Sequence, residues 1–453
     1  MRLTLIHPAI GRKQGDTRYI GTWQMEPLSI AALAGLTPSD IELRFYDDRM
    51  EVIPYDEPTD LVALSVETYT FRRAAQIASE YRRRGVPVVM GGFHATLRPE
   101  DAARYAEAVV IGEAEGVWAQ LLDDARHGTL QATYHGGESG FGKGSAHYDR
   151  SLFAKKRYLP IGLVETARGC RFKCRFCAIQ SFFDRKSTRR ELDSVINELA
   201  ALKSRHRFFF FVDDNFANDP AEAKLFMQAL IPLQLRWVTQ LSIDAAHDEE
   251  FLELARRSGC RGALIGFESL DRTNLKAMGK AFNTMRGGYP QALDNLKRHG
   301  IRVYGTFTFG HDNDQQESFD AAADFAISNG FYLAAFNHLT PFPGTPLYSQ
   351  LEQQGRLRYP AWWLDDSYRY NDVPFHPASL SHHAIREGCL RARKSFYSWR
   401  SIGSRWLREL AGRDAFMARN YLMINLMHRR EVDQRNNFPL GDEGWKGSLL
   451  EVQ

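Results

Sequence analysis

Residues Glu165 to Gln180 read ETARGCRFKCRFCAIQ and set Cys170, Cys174 and Cys177 in a C-x3-C-x2-C triplet, directly after a short run, IGLVET (161–166), that reads as a strand. Three thiolates at that spacing can close on one face of a compact inorganic cluster, whereas a structural zinc site takes four protein ligands, usually in two C-x2-C knuckles. No fourth ligand stands nearby in the sequence. A [4Fe–4S] cubane held by three cysteines keeps one iron open, and an open iron can chelate a small molecule and pass it an electron. The triplet predicts an iron–sulfur site at the end of a strand; a chance triplet or a partial zinc site is the alternative.

Outward from that stretch, 453 residues predict two or three domains, and 44% apolar residues suffice for packed cores. The formal charge of +3 is nearly neutral and demands no nucleic acid or other polyanionic partner. Three of the five cysteines are clustered, which argues against a disulfide framework and for a reducing compartment, most simply the cytoplasm. Cys260 and Cys389 are expected to be buried as small hydrophobes. The N-terminus MRLTLIHPAI has a five-residue apolar core in place of a signal segment, and no run of 18 apolar residues occurs, so a soluble protein is expected.

Residues 1–130 alternate short apolar runs with amphipathic stretches. LTLIHP (3–8), IELRFYD (41–47), LVALSVE (61–67), VPVVMGG (86–92) and AVVIGE (108–113) read as strands, with helices around 26–35, 70–84, 99–106 and 114–126. That order implies βαβ units on an open, doubly wound parallel sheet whose ligand crevice lies outside the carboxyl ends of the strands. SVETYT (65–70), GGFHAT (91–96) and GEAEG (112–116) fall at those ends, and their glycines let backbone N–H groups approach a bulky, phosphate-bearing ligand. Residues 131–158 turn Gly- and Ser-rich and read as a linker.

Beyond the linker, residues 159–349 resume the alternation. After the cluster strand come FFFFVD (208–213), WVTQLSI (237–243), GALIGFE (262–268), VYGTFTFG (303–310) and YLAAFNHL (332–339). Six βα units predict a partial (β/α)6 barrel with its chemistry at the C-terminal ends of the strands. Those ends carry Asp213, Asp214 and Asn215, then Gln240, Ser242 and Asp244, then Glu268. The bland alternatives are a helix cap for the first trio and a solvent-facing carboxylate for Glu268. Asn337 and His338 straddle the sixth strand's end, so at most one points into the lumen; His338 is a structural residue or a substrate and proton-handling candidate. Pro341, Pro343 and Gly344 stiffen a turn expected to bring Thr345 and Tyr348 under the mouth. Residues 350–453 read as a helical C-terminal domain. Its basic amphipathic pattern (395–430) either packs an aromatic stripe on the barrel with the arginines outside, or lies on a membrane surface.

The triplet, with aromatic Phe176 just before its last cysteine, resembles the motif of the radical S-adenosylmethionine superfamily, and residues 1–130 resemble the cobalamin-binding domain that precedes it in one large branch. The resemblance implies three cofactors: a [4Fe–4S] cluster on Cys170, Cys174 and Cys177, S-adenosylmethionine and cobalamin. It places Asp213, Asp214 or Asn215 on the methionyl ammonium, Glu268 on the ribose or methionyl end, and Phe176, Gln240 and Ser242 around the nucleotide. It places Ser65, Glu67, Gly91, Gly92, His94, Gly112 and Glu113 around cobalamin. The D-x-H-x-x-G signature of domains that give cobalt a histidine ligand is absent from LIHPAIG (5–11), so His7 is expected to cap a strand or touch the ligand. The implied activity is C-methylation of an unactivated carbon of a small-molecule, natural-product or lipid-like substrate, with electrons from a flavodoxin- or ferredoxin-type donor. A ring-forming or oxidising enzyme with the same cofactors, and a non-enzymatic iron–sulfur or zinc scaffold, are the alternatives. Methylthiotransferases are disfavoured because residues 1–130 contain no cysteine.

Overall fold

Short apolar runs separated by helices have one low-strain solution, right-handed crossovers onto a parallel sheet, and the chain takes it twice. The computed structural model describes residues 1–16, 19–137, 141, 148–184, 186–412 and 414–452. The first sheet has strands β1 (Arg2–His7), β2 (Glu42–Asp47), β3 (Leu61–Ser65), β4 (Val88–Gly91), β5 (Ala108–Ile111) and β6 (Thr133–His135), all parallel, in the order β2-β1-β3-β4-β5-β6. Helices α1 (Leu28–Leu36), α2 (Phe71–Arg83), α3 (Phe93–Leu97), α4 (Pro99–Ala103) and α5 (Trp118–His127) cover it. Alternation along the strands feeds two cores: Leu3, Leu5 and Ala63 meet Ile30 and Trp118 on one face, while Ile6, Val62 and Leu64 meet Phe71 and Ile77 on the other. The winding direction reverses between β1 and β3, which opens a crevice at His7 and Ser65.

Two expectations are corrected here. The stretch 131–158 is not all linker, because Thr133–His135 pairs with β5 as the sixth strand; residues 138–140 and 142–147 of it lie outside the described residues. GGFHAT is not an open loop, since α3 begins at Phe93.

The second sheet is the open, partial barrel: β7 (Gly162–Val164), β8 (Phe209–Phe211), β9 (Trp237–Leu241), β10 (Cys260–Glu268), β11 (Arg302–Phe309) and β12 (Leu333–His338), parallel and in sequence order, with β7 and β12 as its edges. Helices α6 (Ala178–Phe183), α7 (Leu192–Leu202), α8 (Pro220–Leu230), α9 (Glu249–Ser258), α10 (Arg272–Ala277), α11 (Gly288–Arg298) and α12 (Ser318–Ser328) lie between the strands, and α13 (Pro346–Gln353) follows the last one. On β11 the residues Val303, Phe307 and Phe309 are buried toward the helices, which leaves Tyr304, Thr306 and Thr308 for the lumen.

The C-terminal region has helices α14 (His382–Phe396), α15 (Trp399–Ala411) and α16 (Ala415–Arg435), but it is only partly helical. Trp362 and Trp363 lie fully buried in a non-helical stretch packed against the first domain, and the tail returns there: Gly441–Asp442 pairs with Gly11–Arg12, and the N–H of Leu450 donates to Ser79 Oγ at 2.9 Å. The aromatic stripe does pack inward through Phe396, Tyr397 and Tyr421. One arginine departs from the expected wet face: Arg405 is buried, lies 3.7 Å from the Phe396 ring centre, and donates to the carbonyls of Phe331 and Phe396 at 2.9 and 2.7 Å. Among the described residues no helix is long and apolar enough to cross a membrane. Cys260 and Cys389 are buried in the barrel core.

Candidate active site

The cysteine loop leaves β7 and runs across the C-terminal ends of β8 and β9. Gly169 N–H donates to Asp214 Oδ2 at 2.8 Å and Arg171 N–H to Asn218 Oδ1 at 2.6 Å, while the start of α13 ties on through Leu347 N–H to the Arg175 carbonyl at 3.0 Å. The three thiols are near enough to act electrostatically on one another, and two of them have hydrogen-bond donors of their own that favour the thiolate. Cys170 faces the N–H of Phe172 and Asn215 Nδ2 at 3.9 Å; Cys177 faces the N–H groups of Ile179 and Gln180. The Lys280 ammonium acts on all three. Burial pushes every thiol up, Cys174 to about 12, so the triplet holds its protons until a cationic centre displaces them. Among the described residues no three His, Cys, Asp or Glu side chains are close enough to hold a single metal ion. The wider triangle of thiols, ringed by N–H donors and an ammonium, suits an anionic cluster instead.

The trio after β8 divides its duties. Asp213 is buried and accepts both the N–H of Thr166, at 2.6 Å, and the Thr166 hydroxyl, so it clamps the end of β7 to the end of β8. Asn215 accepts from Ser242 N–H at 3.2 Å, and Gln240 donates to the Asp213 carbonyl at 3.2 Å, which engages the expected nucleotide contacts Gln240 and Ser242 in tying β9 to β8. Asp214 alone is half-buried with one oxygen uncommitted. Burial raises Asp213 to about 6 and Asp214 to about 7. The cap of α8 is Asp219, whose side chain accepts from Ala221 and Glu222, so the helix-cap account of the trio is overturned.

Glu268 ends β10 at φ 62°, beside an irregularity in the β10–β11 pairing. A non-glycine residue in that conformation is strained, and strain of this kind gathers where a side chain must be aimed. Its carboxylate takes Lys280 Nζ at 2.7 Å and the Thr308 hydroxyl at 2.8 Å. A Cβ on Gly266 would lie 2.3 Å from that carboxylate and 2.6 Å from Lys280 Nζ, so Gly266 makes room for the pair. Burial opposes the Lys280 charge, but Glu268 together with Cys174 and Cys177 outweighs it and holds the ammonium above its ordinary range.

At the N-terminal crevice Glu67 is solvent-accessible, and the protein packed around its carboxyl raises it. Ser65 is half-exposed and bonded to Ser29 Oγ at 2.9 Å. His7 Nδ1 is buried without a partner among the described residues at the end of β1, and burial lowers the ring to about 3. An accessible acid and an orphaned ring nitrogen at a switch point fit a ligand with polar groups of its own. Two expected contacts do not line this space. His94 has no exposed surface: it packs 4.1 Å from the Phe71 ring, with Thr68 Oγ1 at 3.3 Å, and supports α3 from within. Glu113 is drawn into an ion-pair cluster, where Arg168 binds Glu113 at 2.5 Å, Glu115 at 2.7 Å and Glu165 at 3.0 Å. Gly91 ends β4 against Val110. Gly92 and Gly112 stand at φ 104° and 83°, and a Cβ there would meet the carbonyls of Val66 at 2.8 Å and Gly136 at 3.0 Å. Both are required by the domain's own backbone, whatever ligand approaches.

Three expectations around β12 are also corrected. Phe336, on the same side as His338, packs against Phe396, so Asn337 takes the lumen side. His338 is buried, with Thr340 Oγ1 at 3.3 Å from Nε2, and burial lowers it to about 3, which disfavours an imidazolium there and supports the structural reading. Thr345 caps α13, and Tyr348 is buried against Trp363 with its hydroxyl on the Pro360 carbonyl at 2.6 Å, so neither lies under the mouth. Phe176 is half-buried against the barrel core. Sequence reading missed Lys280, Thr308, Gly266 and Arg168. Only GFE and ARGC gave a signal, since glycine before an acid and arginine before the triplet are visible, whereas Lys280 and Thr308 reach Glu268 through the fold. A cleft of about 360 Å³, lined by Arg171, Asp244 and His247, flanks the loop, but none of the three cysteines lines it and Arg171 already bonds Asp244 across it at 2.6 Å.

Comparison with known proteins agrees with both halves of this arrangement. The family described as the Radical SAM superfamily matches residues 164–326, and the B12 binding domain matches residues 26–122. Bacteriochlorophyllide d C-12(1)-methyltransferase of Chlorobaculum tepidum is 30% identical over 396 residues, 84% of each chain. Bacteriochlorophyllide d C-8(2)-methyltransferase of the same organism is 27% identical over 351 residues, 74% of this chain and 78% of the relative. Among solved structures, the radical S-adenosylmethionine methyltransferase TsrM from Kitasatospora setae, with tryptophan and a SAM analogue bound, superposes with a TM-score of 0.61 at 18% identity, over 78% of this chain and 76% of that one.

Proposed function

Since this chain belongs to the radical S-adenosylmethionine superfamily, in the branch that carries a cobalamin-binding domain, we propose that it methylates an unactivated carbon of a small organic substrate held at the barrel mouth. The observation that carries the reading is the Arg168 cluster. Two residues before Cys170, Arg168 joins the loop after β5 to the start of the cluster loop, so the strand ends of the first sheet face the strand ends of the barrel. When bound, the cluster and S-adenosylmethionine supply a radical that takes hydrogen from carbon, and cobalamin supplies the methyl group.

The chain's own part is to bind, orient and exclude water. Cys170, Cys174 and Cys177 hold the cluster. Asp214, with its free oxygen and no ion pair among the described residues, receives the methionyl ammonium through a charge-assisted hydrogen bond. Glu268, fixed by Lys280 and Thr308, orients the ribose or methionyl end, and Phe176 borders the nucleotide. Ser65, Glu67 and His7 line the cobalamin crevice, with Gly91, Gly92 and Gly112 shaping its loops. An electron donor of the flavodoxin or ferredoxin type completes the reaction. The likeness to bacteriochlorophyllide methyltransferases makes a tetrapyrrole the first substrate to test. Anaerobic turnover with methyl-deuterated S-adenosylmethionine is expected to yield 5′-deoxyadenosine and a product carrying the labelled methyl group. Deoxyadenosine and a ring-closed or oxidised product without the label would overturn methylation.

A further inference from the structure

A chamber of about 60 Å³ opens at the free edge of the barrel, between β11, β12, the short strand at Arg369–Tyr370 and helices α14 and α16. Its position ties it to the mouth. Asn337, which lines it, stands opposite Thr308 in the β11–β12 register, and Thr308 bonds Glu268. On the other side Tyr370 packs 5.3 Å from Tyr69, two residues beyond Glu67 in the cobalamin-domain crevice. The chamber thus sits where the three parts of the chain meet.

Its polar inventory is one-sided. Arg393 donates to two neutral amide oxygens, Asn337 Oδ1 at 3.1 Å and Asn371 Oδ1 at 3.2 Å, and has no carboxylate partner among the described residues. Arg435, by contrast, is neutralised by Glu431 at 2.7 Å. His428 stacks on Tyr397 and is uncharged, because burial lowers it to about 3. Asn371 is 6% exposed and stands at φ 73°; its Oδ1 is committed to Arg393, and its buried Nδ2 has no acceptor among the described residues. A buried N–H donor left unfilled is costly unless something arrives to use it, and the half-buried, unneutralised Arg393 guanidinium beside it makes an anion the favoured arrival. A planar monoanion serves both, since a carboxylate matches the guanidinium fork and the amide together, while a dianion would bring a second charge with no second free cation among the described residues of the chamber to meet it. The volume admits a few waters or a short chain, not a ring system.

We propose that this chamber is the recognition site for a short carboxylate-bearing arm of the substrate, with Arg393 and Asn371 as the clamp and the substrate body lying at the barrel mouth. The inference rests on the methylase reading for what then happens to the bound acid, but not for the binding itself. The test uses the full chain loaded with cluster and cobalamin, and two probes, a chlorin monocarboxylic acid and its methyl ester, titrated by fluorescence quenching. The acid is expected to bind at least tenfold more tightly than the ester. Arg393→Gln should bring that ratio to within about twofold, Arg393→Lys should restore part of it, and Asn371→Gly, which keeps the backbone conformation while removing the donor, should lower it on its own. Cluster and cobalamin content equal to the parent protein's would show that each variant is folded. Equal binding of acid and ester, a ratio unchanged in Arg393→Gln, or binding of neither probe overturns the assignment. Acid-selective binding without labelled methyl transfer would sink the methylase reading and leave the chamber standing.

Discussion

Asp213 and Asp214 are chemically identical neighbours that the fold separates into a fastener and a residue with one oxygen to spare among the described contacts. Asp213 spends both oxygens on Thr166, so Asp213→Asn is expected to cost about 1–3 kcal/mol of stability with little change in S-adenosylmethionine affinity. Asp214→Asn should do the reverse, weakening binding by about 1.5–3 kcal/mol at unchanged stability. Because burial raises the unliganded Asp214 carboxyl to about 7 and an ammonium selects its ionised form, parental affinity should tighten as pH rises from about 6 to about 8, and the variant should lose that dependence. Calorimetric titration of cluster-loaded protein reads both effects; pH-independent binding by the parent would remove Asp214 from the site. Sequence spacing could mark the trio as chemistry at a strand end, but not which member was spent, because Thr166 and Gly169 reach them only once β7 and β8 pair.

The element that most changes a sequence-level expectation is α3. With Phe93 starting a helix and His94 in the core, GGFHAT serves as a tight turn into that helix, and Gly92 is needed for its φ of 104° and its approach to Val66. Gly92→Ala should therefore lower the melting temperature, costing about 1–3 kcal/mol through strain, and reduce cobalamin uptake only as far as it unfolds the domain. Ser65→Trp, at the half-exposed rim of the crevice, should instead block uptake with the melting temperature preserved. Absorption of reconstituted cobalamin beside a thermal melt separates the two; normal uptake by the Ser65 variant would place the ligand elsewhere.

For the whole molecule, Arg168 is one of the fastenings between the two sheets. Its guanidinium serves three carboxylates in a half-buried cluster, and removing one partner of such a cluster costs about 3–5 kcal/mol because like charges are left facing one another. Arg168→Met is expected to speed hydrogen exchange in residues 112–116 and 165–170 and to raise the ratio of 5′-deoxyadenosine to methylated product, since a loosened first domain no longer holds its crevice over the mouth. Exchange rates matching the parent's in both segments would show that other contacts, such as the tail on α2, carry the docking alone.

The sequence by itself determined the two sheets, apart from β6, their order along the chain and the spacing of the cysteine triplet. Strand and helix periods are local properties, and C-x3-C-x2-C lies within eight residues of one loop. Which polar residues remain available was decided only by tertiary structure. His94 and Glu113 carried the right chemistry at the right strand ends, yet one is withdrawn by packing on Phe71 and the other by Arg168, 55 residues away. Conversely Lys280, Arg393 and Asn371 sit in stretches with no pattern of their own, and the strand pattern around Thr308 does not name its partner; all four acquire meaning because the fold places them against Glu268 or around one chamber. Burial and pairing are sums over neighbours distant in the chain, so a reading of local spacing can name the donors at a site and cannot say which the fold has already consumed.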